Sequence, residues 1–110
     1  MKKIELKNVK PYAAQKHFNM TALRLHSKEE TGAKFMMGLS HFLPGGGAEF
    51  DAGPTEKVYF VLEGEITVID ADKNKIVLRK NDSIFIAGGE GREILNETNM
   101  PASMLVVVVP

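Results

Sequence analysis

The chain has 110 residues, 44% of them apolar and 25% charged, the composition of one ordinary globular domain with a single core. Fourteen basic and fourteen acidic side chains cancel to a formal net charge of +0, so no global field favours nucleic acid or an anionic membrane surface. The absence of cysteine excludes disulfides, thiolate metal sites and cysteine nucleophiles. Met1-Lys2-Lys3 is basic, but no apolar run follows it that could serve as a signal-peptide core. Met104 to Val109 is only a strand-length run, far short of the roughly 20 apolar residues of a membrane span. A soluble cytoplasmic domain is expected.

In chain order, Val9 to Phe18 is the best helical stretch, and Pro11 limits it to a short turn or an irregular arm. Met20 to His26 alternates apolar and polar residues as a strand does, and Ser27 to Gly32 reads as a polar turn. Lys34 to Leu43 follows as a strand that Pro44-Gly45-Gly46-Gly47 should stop. Further strands are expected at Lys57 to Glu63, Glu65 to Asp70, Lys75 to Arg79, Ser83 to Ile86, Arg92 to Asn96 and Ser103 to Val109. Gly64 between two of them supplies the positive φ that a tight hairpin turn needs. Short, evenly spaced strands with Gly, Pro, Asn and Asp between them make an all-β sandwich or barrel. No repeat, linker or low-complexity tract interrupts the pattern.

Two spacings sharpen this reading. Pro44 and Gly45 are followed by five residues, Asp51, one residue, Gly53, three residues, Lys57, six residues and Gly64. Later, Asn81 is followed by five residues, Ala87, one residue, Gly89, two residues, Arg92, three residues and Asn96. These resemble the two motifs of the cupins, G-x5-H-x-H-x3-E-x6-G and G-x5-P-x-G-x2-H-x3-N. No insertion is needed, and sixteen residues separate the two, as a short hairpin would. The resemblance covers about Met36 to Val109. It implies a double-stranded β-helix or jelly-roll barrel over residues 20–110, with residues 1–19 as a short N-terminal arm available for dimer contacts. It also implies a homodimer, and the apolar C-terminal strand, whose open edge would otherwise invite aggregation, agrees with that.

The chain departs from the family at all four metal-ligand positions, where His, His, Glu and His become Asp51, Gly53, Lys57 and Arg92. Carried over from the family, these positions point into the barrel, with Gly53 leaving a gap. One carboxylate against two cations is a poor donor set for a transition metal, so no metal cofactor is expected in the usual place. Three uses of the trio compete. Asp51 could pair with Lys57 or Arg92 as an internal plug. Arg92 and Lys57 could receive an anion, with Asp51 orienting Arg92. Lys57 could act as a base or nucleophile, its pKa lowered by burial beside Arg92. Tyr59 shares the parity of Lys57 and joins Asp51, Lys57 and Arg92 as a candidate ligand-binding residue.

Other residues carry weaker signals. His17, in the arm, and His26, at a strand end, read as surface residues, whereas His41 shares parity with Leu39 and Leu43. With Glu49 and Asp51, or with Glu56, His41 offers an improvised metal site, the alternative to a metal-free barrel. Glu56 reads as a rim residue, and Phe85 and Met100 as pocket lining or core. The expected function is binding of a small metabolite, a carboxylate or sugar, as a sensor, carrier or accessory domain. The rivals are a cupin enzyme and a degenerate barrel kept for protein contacts. Metal-free cupin epimerases use a pocket histidine with a tyrosine, and from the sequence only Tyr59 is available.

Overall fold

A computed structural model describes residues 1–110, and almost all of the regular secondary structure is strand. In chain order the elements are β1 (His17–His26), a one-turn helix α1 (Lys28–Thr31), β2 (Met36–Asp51), β3 (Glu56–Glu63), β4 (Glu65–Asp70), β5 (Lys75–Arg79), β6 (Ser83–Ile86), β7 (Arg92–Leu95) and β8 (Ala102–Val109). All pairings are antiparallel, in the order β5-β4-β7-β2-β8-β3-β6, with β1 added on β2. No helix is long and apolar enough to cross a membrane.

The long β2 is the hinge of the barrel. Its first half pairs with β8 from Met36↔Val108 to Phe42↔Ala102, and its second half pairs with β7 at Gly47↔Leu95, Ala48↔Ile94 and Asp51↔Arg92. The sheet therefore folds over at β2, with β8, β3 and β6 on one face and β7, β4 and β5 on the other. The sequence suggested a stop at Pro44, yet the strand continues to Asp51. Opposite β1 it slips from Met20↔Phe42 to Phe18↔Gly47, so residues 43–46 loop out as a bulged corner. That corner is fastened to the end of β7, where Gly45 donates its N–H to the Asn96 carbonyl at 2.9 Å and Asn96 donates back to Gly46 at 2.8 Å. Gly47 must lack a side chain, because a Cβ there would collide with the Ile94 carbonyl.

Gly64 takes a φ of +78°, and a Cβ on it would press on Pro101 and Ala102, so both geometry and space require glycine at the β3–β4 turn. Asn81, standing where the second motif has glycine, also adopts positive φ, +70°, a conformation asparagine tolerates. The β4–β5 turn is tied by Asp70, which accepts N–H groups from Asp72 and Asn74 at 2.9 Å. Alternation then places one set of side chains inside: Phe42, Tyr59, Val61, Ile66 and Met104 are at most 1% exposed. Burial of each such side chain contributes about 1.5–3 kcal/mol.

The ends of the chain differ more from expectation. Residues 9–18 form no helix; the only helical turn of the arm is a 3₁₀ turn at Leu6–Asn8. After Pro11, Tyr12 bridges to Ala22, Arg24 stacks over the Tyr12 ring at 4.3 Å, and Gln15-Lys16 turns the chain into β1. β1 begins at His17, so residues 17–19 already belong to the sheet. The polar stretch read as a turn is α1, with Ser27 as its N-cap and Gly32 at φ +76° closing it.

Candidate functional site

The interior of the barrel encloses a cavity of about 120 Å³, walled by Met20, Ala22, Phe42, Ile94, Met104 and Val106. His17 and Ser40 also line this largely apolar space, and Lys57, Tyr59 and Arg92 enter it. Their placement follows from strand alternation. Lys57 and Tyr59 lie two apart on β3, opposite Val108 and Val106 of β8, and so share the inner face. Arg92 is the first residue of β7 and is directed inward with Ile94. Lys57 is 8% exposed, Tyr59 1% and Arg92 6%.

Asp51 reaches the same end of the barrel by a local irregularity. Ala48 pairs with Ile94 but Asp51 pairs with Arg92, three residues against two, so a bulge re-aims Asp51 toward Arg92. Asp51 does not line the inner cavity. It lines an adjoining depression of about 170 Å³ at the mouth, together with Gln15, Lys16, His17 and Arg92. A Cβ at Gly53 would touch only the Asp51 carboxylate, at 3.5 Å, which leaves this side of the mouth open.

Arg92 is held by two bonds. Nε donates to the Tyr59 hydroxyl at 2.8 Å, and Nη1 donates to the Glu49 carbonyl at 3.1 Å. Its Nη2 has no partner within the chain. Lys57 makes one long contact, Nζ to the Thr55 carbonyl at 3.4 Å. The internal plug is not formed: Asp51 pairs with Lys16 at 3.9 Å, and no ion pair includes Lys57 or Arg92. Two buried cations thus face one small cavity without a bonded counter-ion.

The electrostatics follow. Burial, then the Arg92 charge, push the Lys57 ammonium below the usual lysine value, while the more remote Asp51 partly opposes them. Burial raises the Tyr59 phenol, and the charge and hydrogen bond of Arg92 oppose that rise. At neutral pH Tyr59 keeps its proton, and because its oxygen accepts from Arg92 its own O–H is free to donate.

The remaining expectations are placed as follows. His41 lies on the opposite face of β2 from Ser40 and Phe42, and its Nδ1 bonds Ser103 Oγ at 2.8 Å. His41, Glu49 and Asp51 are therefore not gathered into the improvised donor set, and no three His, Asp or Glu side chains cluster so as to hold a metal ion. Glu56 is exposed, as a rim residue would be, and His26 bonds Thr31 Oγ1. Phe85 and Met100, 59% and 63% exposed, belong neither to the core nor to the lining of the inner cavity. His17 is the residue that sequence reading missed. It lines both the cavity and the mouth, with Nδ1 bonded to the Gln15 carbonyl at 2.6 Å. Only the docking of β1 along β2, His17 opposite Ala48, brings it there.

Comparison with known proteins agrees with this architecture. The sequence model of the family described as Cupin domain matches residues 38–108. Beta-D-galactosidase Rv1717 of Mycobacterium tuberculosis is 40% identical over 98 residues, covering 88% of this chain and 84% of that protein. Among solved structures, the polyketide cyclase RemF from Streptomyces resistomycificus superposes with a TM-score of 0.87 at 21% identity, over 98% of this chain and 78% of that one. A cupin-superfamily sugar phosphate isomerase from Silicibacter pomeroyi gives 0.82 at 20% identity, over 99% and 76%. At such identities the two structures speak to the fold alone.

Proposed function

The chain belongs to the cupin domain family, and from that premise we propose that its barrel binds a small anionic metabolite, with Arg92 as the anchor. The observation that carries this reading is the pair of buried cations, Arg92 and Lys57, without an ion-pair partner in a cavity lined mostly by apolar side chains. Buried charge is costly unless it is paired, and an incoming carboxylate or phosphate supplies the missing partner. Arg92 is suited to it: Tyr59 and the Glu49 carbonyl fix the guanidinium plane while Nη2 remains unbonded. The volume of about 120 Å³ limits the ligand to a few heavy atoms inside, well below the roughly 300–1,000 Å³ of drug-sized sites. A longer ligand would place its polar end at the mouth, against His17, Lys16 and Asp51.

The test is thermal stabilisation by acetate, propionate and inorganic phosphate, with chloride at equal ionic strength as the control. A bound anion raises stability as RT ln(1 + [L]/Kd). Arg92→Ala should abolish the shift, and a shift that survives this substitution would remove Arg92 from the site.

A second reading rests on the 40% identical relative that bears the name β-D-galactosidase. The mouth carries a carboxylate, Asp51, and a histidine, His17, beside one another in a polar depression. In this reading a galactoside sits at the mouth and one of these groups transfers the proton that glycoside cleavage needs. Hydrolysis of a chromogenic β-galactoside, lost in Asp51→Asn, would favour it over simple anion binding.

A further inference from the structure

We infer that Lys57 is a covalent, imine-forming residue and that the barrel takes a small 2-oxo acid of three or four carbons. This rests on the anion-site reading and names its ligand class. Three groups needed for such a step line one cavity. Arg92 receives the carboxylate, the Lys57 amine stands in the same apolar space without a counter-ion, and Tyr59 lies between them on the β3 face. Lys57 is two residues from Tyr59 on one strand, and Tyr59 is bonded to Arg92, so the three are linked in fixed order by β3 and one hydrogen bond.

In the step, the lone pair of Lys57 Nζ attacks the carbonyl carbon, forming a C–N bond as the carbonyl π pair moves to oxygen. The Tyr59 O–H, which no acceptor in the chain occupies, protonates that oxygen. One nitrogen proton passes to the Tyr59 phenolate, whose O–H then protonates the carbinolamine hydroxyl; the former carbonyl oxygen leaves as water, and the second nitrogen proton restores the Tyr59 O–H. The net reaction is amine plus ketone to imine plus water, with no oxidant or reductant. Desolvation and a neighbouring cation are the conditions that keep a lysine amine nucleophilic at neutral pH, and Lys57 has both. An apolar wall of Met20, Ile94, Met104 and Val106 suits the carbon end of the acid and slows return hydrolysis.

The experiment incubates the full chain with pyruvate and sodium cyanoborohydride, followed by intact mass and peptide mapping. One reduced adduct per chain on Lys57 is expected. Lys57→Arg should lose it, Tyr59→Phe should slow it, and excess propionate should suppress it in the unaltered protein. Acetaldehyde, which lacks the carboxylate, should react far more slowly at Lys57. Adducts spread over surface lysines and unaffected by propionate would overturn the inference. Stabilisation by propionate with no pyruvate adduct would also overturn it, while leaving the anion site standing. If propionate gave neither stabilisation nor suppression, the anion site and the inference built on it would fail together.

Discussion

Arg92 on β7 and Tyr59 on β3 are joined across the barrel interior by a 2.8 Å hydrogen bond from Nε to the phenolic oxygen, with both residues almost fully buried. The bond locks a charged side chain into one orientation in a largely apolar cavity. A guanidinium held this way is preorganised for a planar anion, since its rotamer freedom is already spent on folding. The same bond makes Tyr59 a member of the site and a member of the core at once.

Tyr59→Phe keeps the ring and removes the acceptor. Arg92 Nε would then be a buried charged donor without a partner, a loss of about 1–3 kcal/mol. Urea unfolding should show a lower midpoint at unchanged slope. An unchanged midpoint would mean that the hydroxyl contributes nothing net to stability, and that Arg92 is held by the Glu49 carbonyl alone.

Lys57 gives the protein a pH dependence of definite sign. Its folded pKa lies below the unfolded value of about 10.4, so between the two the unfolded chain binds more protons. Stability must therefore rise with pH through that window, as the penalty for a charged buried lysine is relieved. Tyr59 has the opposite sign: its raised pKa contributes stability that is complete below its unfolded value of about 10 and is lost as pH climbs through the folded one. Thermal unfolding followed from neutral pH up to about pH 9.5 thus isolates the lysine. Lys57→Met should flatten the upward slope relative to the parent chain. A parent chain as flat as the variant would show that Lys57 is solvated and ordinary.

How far the sequence foretold this molecule can be judged from individual residues. The strands from β3 to β8 lie within a residue or so of where alternation and turn residues put them, because each is short, local and bounded by turns. Gly64 was readable for the same reason, since positive φ leaves a mark on residue choice. The passage of β2 through Pro44 to Gly47 was not readable. There a glycine run that usually ends a strand instead makes a corner, which only the long-range bonds of Gly45 and Gly46 with Asn96 reveal. Lys57 and Arg92 could be placed inside the barrel because motif spacing fixed their inward positions, and Tyr59 because it shares the parity of Lys57. His17 was missed because no local pattern says where an N-terminal arm docks. Of the three competing uses of the trio, the Asp51 plug is not formed, because the residue sits at the mouth, beside Lys16.

Asn96, also retained from the second motif, has a structural role that one atom can test. It is 1% exposed, and its Nδ2 donates to the carbonyls of Phe42 at 3.2 Å and Met100 at 2.8 Å. Its Oδ1 accepts from the Thr98 amide at 3.0 Å and hydroxyl at 2.8 Å. Asn96→Asp preserves size but sets a carboxylate against two carbonyl oxygens. A loss of about 3 kcal/mol or more is expected, from two broken bonds and a buried charge. The loss should shrink at acid pH, where the carboxyl regains a proton to donate. A variant as stable as its parent at neutral pH would show that the corner of β2 does not depend on these bonds.

The outer face of the β8–β3–β6 side bears on assembly. Val58 pairs with both Val107 and Phe85, and Phe60 with Leu105, so their side chains form a patch spanning three strands. Val58 is 39% and Phe85 59% exposed. The five residues contain no charge, so a second copy meeting this face suffers no like-charge opposition, and the net charge of +0 adds none at long range. We propose that this patch is an association surface and that two copies pair through it as a two-fold dimer. Light scattering on the eluting peak should return twice the chain mass, and Phe85→Asp should return the single mass with the fold intact by circular dichroism. A monomeric parent chain would leave the patch to a different partner. A dimer indifferent to Phe85→Asp would move the interface elsewhere, with the N-terminal arm the next surface to test.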